Sequence, residues 1–152
     1  MFSKCSRLVA GPSSMFSYPA PNWCYAGMFA DCVSLTGLPN FQTETNQIGI
    51  GACSWMFQNC ESLVEPPKYL KATTIPTFAY NAMFQNCKSL TNAPILSATT
   101  LMNGAYKNMF MGCSKLSSIN VSFTEWNKDY TENWVKGVAE YGTFNRPKDL
   151  AE

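Results

Sequence analysis

The stretch Met83-Phe84-Gln85-Asn86-Cys87-Lys88-Ser89-Leu90 constrains the fold most, because near-copies of it recur along the whole chain. The other copies are Met1-Phe2…Cys5…Leu8, Met28-Phe29…Cys32…Leu35, Met56-Phe57…Cys60…Leu63 and Met109-Phe110…Cys113…Leu116. Intervals between the methionines are 27, 28, 27 and 26 residues. A fixed period of about 20 to 30 residues marks a chain that winds, each coil burying its apolar face against the next. Met, Phe and Leu at fixed register predict a continuous core in which like stacks on like.

More positions keep the period. Seven residues after the cysteine stand Pro12, Pro39, Pro67 and Pro94, with Asn120 breaking the series. Three before the later methionines stand Tyr25, Cys53, Tyr80 and Tyr106, and eight before them Ala20, Ile48, Ile75 and Leu101. Asp31, Asn59, Asn86 and Gly112 immediately precede the repeat cysteines, and these residue types tolerate positive φ, so a tight turn is expected there. Lys4 departs from that rule in the first copy. The Leu-x-x-x-Pro segments Leu35–Pro39, Leu63–Pro67 and Leu90–Pro94 are expected to carry one short parallel strand each, with proline ending the ladder. The first unit, with Met15-Phe16, Pro19 and Pro21 between Ser13 and Trp23, reads as an irregular loop or a worn repeat.

From about residue 117 the period stops. Ile119-Asn120-Val121-Ser122-Phe123 alternates as a strand does. Asp129 and Glu132 have the spacing of a capping box that would open a short helix near 131–141. Trp134, Val135 and Val138 would form its apolar face, with Gly142 as its stop. The division is therefore a repeat array over 1–119 and a C-terminal cap over 120–152.

Charge and cysteine usage narrow the function. Only 14% of residues are charged and the net charge is +1, against roughly 25% charged in an average domain. That balance offers no electrostatic case for nucleic acid or an anionic membrane, and no apolar run approaches the ~18 residues of a membrane span. Lys4 and Arg7 interrupt the apolar residues where a signal peptide would have its core. The array opens directly on a repeat motif, which favours a longer polypeptide or another chain covering that end.

The seven cysteines include no Cys-x-x-Cys pair, and the chain has no histidine, so zinc or iron–sulfur ligation has little support. Stacked coils present parallel Cβ vectors, which disfavour the disulfide torsion. A ladder of buried thiols acting as small hydrophobes is the expectation.

The segment 83–101, Met-Phe-x-x-Cys-x-Ser-Leu-Thr-x-Ala-Pro-x-Leu-x-Ala-Thr-Thr-Leu, resembles the BspA-type leucine-rich repeat. It is most similar to the Met-Phe/Cys variant of gut-bacterial surface proteins and of phages of those bacteria. The terminal run Asn133-Trp134-Val135-Lys136-Gly137-Val138-Ala139…Gly142-Thr143-Phe144 also resembles the segment that closes such arrays. The resemblance implies a right-handed leucine-rich-repeat solenoid. Together with the residue reading, the expected fold is mixed α/β, with about one short strand per ~27-residue repeat in a small parallel sheet and a helical C-terminal cap. It also implies a protein of the cell surface, secreted or in a virion, that binds other proteins or surface glycans, with no shared catalytic residues.

The inventory agrees with a non-enzyme. Without histidine neither a Ser-His-Asp triad nor a Cys-His pair can form. Glu61 and Glu65 are the nearest carboxylate pair in the repeats, but no paired site recurs. Gly49-Ile50-Gly51 lacks the third glycine of a dinucleotide fingerprint. No catalytic, cofactor-binding or metal-binding residue is therefore assigned, and no cofactor is expected. The expected function is a non-catalytic repeat module for protein–protein or surface interaction, in an adhesin-like protein or a virion component that contacts the host. An accessory binding domain of a larger enzyme is the alternative.

Binding in repeat arrays falls to positions that differ between copies. Trp55 stands where other copies have Gly27, Ala82 and Asn108, so it either projects outwards or fills a local gap. Trp23 faces the same choice. These two are the candidate interaction anchors, while Trp126 and Trp134 are expected to cover the last coil.

Overall fold

The computed structural model describes residues 1–12, 19–37 and 47–150. Pro39 and the Ser13–Tyr18 part of the first unit, with Met15-Phe16, lie outside them.

The repeated motif forms neither helix nor strand. From Trp23 to Cys32 the backbone N–H groups alternate between two destinations. Those of Trp23, Tyr25, Gly27, Phe29 and Asp31 donate to carbonyls of the next coil, on Ile50, Ala52, Ser54, Met56 and Gln58, at 2.8–3.0 Å. Those of Cys24, Ala26, Met28, Ala30 and Cys32 donate three residues back within the coil, at 3.1–3.4 Å. Every fourth residue has positive φ: Trp23, Gly27 and Asp31, then Gly51, Trp55 and Asn59, then Phe78, Ala82 and Asn86, then Gly104, Asn108 and Gly112. The result is a ribbon of consecutive tight turns whose donors are all satisfied, half locally and half by the neighbouring coil. Lys4, at φ 64°, adopts the same turn as its equivalents.

This backbone overturns the expected helix-capped leucine-rich-repeat solenoid. Among the described residues, strands are only two or three residues long and form separate two-stranded parallel pairs with no closed winding. The strands β1 (Tyr69–Leu70) and β3 (Ile95–Leu96) pair, as do β2 (Thr74–Ile75) and β4 (Thr100–Leu101). The third pair joins β5 (Ser118–Asn120) to β6 (Thr143–Asn145). The Leu-x-x-x-Pro segments yield single bridging residues, Gly37, Glu65 and Asn92, rather than strands. Pairing begins after Pro67 and Pro94 instead, where each residue again has an N–H to donate: Ile95 to Lys68 O at 3.0 Å and Ser97 to Leu70 O at 3.2 Å.

The cap departs from expectation for a local reason. Its helix α1 is the four residues Lys128–Thr131, capped by Asn127, whose side chain accepts the Asp129 N–H at 2.9 Å. The predicted helix near 131–141 is absent because Asn133 and Gly137 sit at φ 53° and 77°, which breaks an α-helix and continues the turn ribbon. Glu132 does not close a capping box on Asp129 but pairs with Lys107 at 2.7 Å. Gly142 is required for close approach: a Cβ there would lie 2.1 Å from Ser117 O. The expected alternation from Ile119 to Phe123 holds, with Ile119, Val121 and Phe123 all buried.

Registered rows of side chains fill the core. Phe2, Phe29, Phe57, Phe84 and Phe110 form one continuous stack, with ring centroids 5.4–5.8 Å apart and planes within 11°. Leu35, Leu63, Leu90 and Leu116 are fully buried in a second row, and Met56, Met83 and Met109 in a third. Burying each such side chain contributes about 1.5–3 kcal/mol, and each ring pair adds roughly 0.5–1.5 kcal/mol. The rows stay in register although the methionine interval varies from 26 to 28 residues. Among the described residues no helix is long and apolar enough to cross a membrane.

Candidate interaction surface

The turn ribbon decides which side chains face outwards. Its positive-φ positions lie at turns of the coil, some exposed, as at Trp23 and Trp55, and others buried, as at Ala82. Trp23 occupies one such corner and Trp55 another, one coil later and four residues further along the ribbon. Their side chains converge. The rings stack with centroids 6.3 Å apart and planes 17° from parallel, and the residues are 47% and 40% exposed.

The two residues singled out separately in the sequence therefore form one aromatic platform. Trp23 belongs to the ribbon, not to an irregular loop, and Trp55 projects rather than filling a gap. Gly51 makes this possible, since a Cβ on it would lie 2.2 Å from the Trp23 ring. Phe78 repeats the device over Gly104, whose Cβ would also fall 2.2 Å from the ring. An aromatic at this corner thus requires glycine in the coil above. Alternation of Trp23, Gly51, Phe78 and Gly104 was a readable signal that sequence reasoning missed. The neighbouring Ile50, 43% exposed, is fixed beside the platform by its N–H to the Asn22 side chain (2.9 Å) and its carbonyl to the Trp23 N–H (2.9 Å). Two near-parallel, half-exposed indoles with an aliphatic rim can stack on a sugar ring or a flat apolar side chain, or receive a cation.

The repeat cysteines have a different task. Cys32, Cys60, Cys87 and Cys113 are buried, and each thiol donates to the phenylalanine carbonyl one coil back: Phe2, Phe29, Phe57 and Phe84, at 3.0–3.2 Å. Burial pushes the Cys60 and Cys113 thiols up to about 12, and that of Cys87 well above its ordinary value. Thiols held protonated are poor nucleophiles and poor ligands. All seven cysteines are free, and among the described residues no cluster of three metal-ligating side chains occurs. Glu61 pairs with Lys88 at 2.8 Å rather than with Glu65.

A second concavity lies at the cap, where a pocket of about 360 Å³ is walled by Leu116, Ile119, Trp126, Trp134, Val138 and Phe144 among others. Trp134 is buried as expected of a covering residue, but Trp126 is 39% exposed and Phe144 42%. Sequence reading assigned no pocket here.

No protein-family model, no curated protein and no solved structure matches this chain.

Proposed function

We propose that the chain is a non-catalytic repeat module that binds another macromolecule, a protein or a surface glycan, through the Trp23–Trp55 platform. The observation that carries this reading is the stacked, half-exposed indole pair at corners where most other copies place small or polar residues. Exposed tryptophan is favoured as an interface anchor, because one residue removes a large apolar area from water. The buried thiols with raised pKa values and the absence of histidine support a module without catalytic machinery.

The resemblance of 83–101 to BspA-type repeats supports placing the module on a bacterial surface or in a virion that contacts one. The test is binding of the labelled chain to intact gut-bacterial cells and to their isolated surface polysaccharide. Trp23→Ala/Trp55→Ala is expected to weaken binding at least about tenfold while circular dichroism still reports a folded protein. Undiminished binding by a folded double variant would sink the assignment. Binding to cells but not polysaccharide would identify the ligand as protein.

A further inference from the structure

Resting on the platform reading above, we infer that the ligand of the Trp23–Trp55 pair is an uncharged glycan. Its sugar rings lie with their C–H faces on the indoles.

Charge selects among the ligands that two indoles accept. Two columns of positive-φ turns carry the platform, one of Trp23, Gly51, Phe78 and Gly104, the other of Gly27, Trp55, Ala82 and Asn108. None of these residues is ionisable, and no Asp, Glu, Lys or Arg occurs anywhere in 19–30, 47–60 or 72–87. The charges that follow these segments are engaged with one another or with amides. Asp31 accepts from the Asn59 amide at 2.7 Å, and Glu61 pairs with Lys88 at 2.8 Å. A carboxylated or sulfated sugar therefore finds no cation in these segments, and a cationic ligand finds no carboxylate. Nor do the rings enclose a cation. Their planes lie 17° apart, so they stack on each other instead of facing a common point.

Size separates a glycan from a protein. A stable protein interface takes about 800 Å² from each partner around a continuous apolar core. Among the described residues the platform offers two indoles and Ile50, while Gly51 and Ala82 in the same columns are buried. Val33 and Val64, the next exposed apolar side chains along the chain, lie beyond the repeat cysteines. Two rings and one aliphatic side chain make too small a core for a protein, but they match the C–H face of a pyranose.

A sugar also needs polar partners at its rim, and Asn22 supplies one. Its Oδ1 takes the Ile50 N–H at 2.9 Å, which fixes the side chain beside the platform. The Asn22 amide nitrogen has no acceptor among the described residues, so it is the donor for a sugar hydroxyl. The backbone holding both rings is set in advance. The Trp23 N–H reaches Ile50 O and the Trp55 N–H reaches Asn81 O, each at 2.9 Å. Little order remains to be imposed when the ligand arrives. Because the indoles belong to successive coils, with centroids 6.3 Å apart, consecutive sugars of one linear chain reach both.

The test uses the whole 152-residue chain, intact gut-bacterial cells, and all glycans released from their surface, divided on an anion exchanger into neutral and acidic fractions. The neutral fraction is expected to compete for cell binding at least about tenfold better than the acidic one, and binding should not change over about a tenfold range of salt. Trp55→Phe keeps a ring face and is expected to retain most of the affinity that Trp55→Ala loses. Asn22→Asp keeps the acceptor for the Ile50 N–H but removes the donor, and is expected to weaken binding about fivefold. Circular dichroism checks that each variant is folded. Competition by the acidic fraction alone, loss of binding in salt, or tighter binding by Asn22→Asp would each overturn the assignment. Tryptophan-dependent cell binding that neither fraction competes would also overturn it, leaving the platform reading in place with a protein as ligand. Binding that is absent, or indifferent to both tryptophans, would remove the platform reading and the glycan with it.

Discussion

The Cys60 thiol donates to the Phe29 carbonyl at 3.2 Å, and that same carbonyl receives the Cys32 N–H at 3.1 Å. One acceptor thus closes a turn within its own coil and fastens the coil that follows. This is why cysteine, rather than alanine or valine, suits the position: it is small, apolar and still a donor. Cys60→Ala is expected to cost about 1–3 kcal/mol, from the lost volume and the lost bond. Cys60→Ser keeps a donor and should be milder than alanine by about 0.5–1 kcal/mol. Urea denaturation of both variants decides it. Serine worse than alanine would mean that the site is merely apolar.

The same burial sets a pH limit. The Cys60 and Cys113 thiols rise from 9.0 in the unfolded chain to about 12 in the folded one. A group whose folded pKa is raised holds its full contribution below pH 9, and loses it progressively as pH rises towards 12. Stability is therefore expected to fall over that alkaline window, with a shallower slope in Cys60→Ala. Native alkylation at pH 8, followed by intact mass, should label Cys5 and Cys24 first and spare the five buried thiols until denaturant is added. Rapid native labelling of Cys87 would contradict this picture.

Polar ladders are as registered as apolar ones. Asn59 donates to the Asp31 carboxylate at 2.7 Å and accepts from the Asn86 amide at 2.9 Å, all three at positive φ. Asn59→Gly keeps the backbone conformation and loses only the bonds, for an expected cost of about 1 kcal/mol. Asn59→Ala adds the strain of the left-handed conformation and should cost about 1 kcal/mol more. Asn59→Asp sets a second carboxylate against Asp31, so its deficit should shrink on acidification as one carboxyl takes a proton. Thermal midpoints between pH 4 and 7 distinguish the three.

Gly51 and Trp23 should behave as a coupled pair. Gly51→Ala strains φ 60° and drives a methyl group into the indole, so it is expected to destabilise by about 2 kcal/mol or more. Combining it with Trp23→Ala removes the collision and leaves only the backbone strain. A double-mutant cycle should therefore show a coupling of about 1 kcal/mol. Strict additivity would mean that the ring does not rest on Gly51.

Which residues stack was legible in the repeat alone. Regular spacing of Met, Phe, Cys and Leu assigned the core rows and the buried thiols, and the residues preceding the cysteines marked corners at positive φ, as the structure has them. Those readings are local or periodic, and packing of like on like leaves little freedom. The path between the rows was decided only by the tertiary structure. The ribbon alternates donors between its own turns and the next coil, so half of its hydrogen bonds exist only once a neighbour is in place. Patterns of strand and helix describe chains that satisfy their donors in one direction at a time, and for that reason they misassigned both the Leu-x-x-x-Pro segments and the cap helix. Trp23 and Trp55 were each legible as departures from the repeat. Their meeting at 6.3 Å was not, because it depends on a side chain from one coil crossing the glycine of the next.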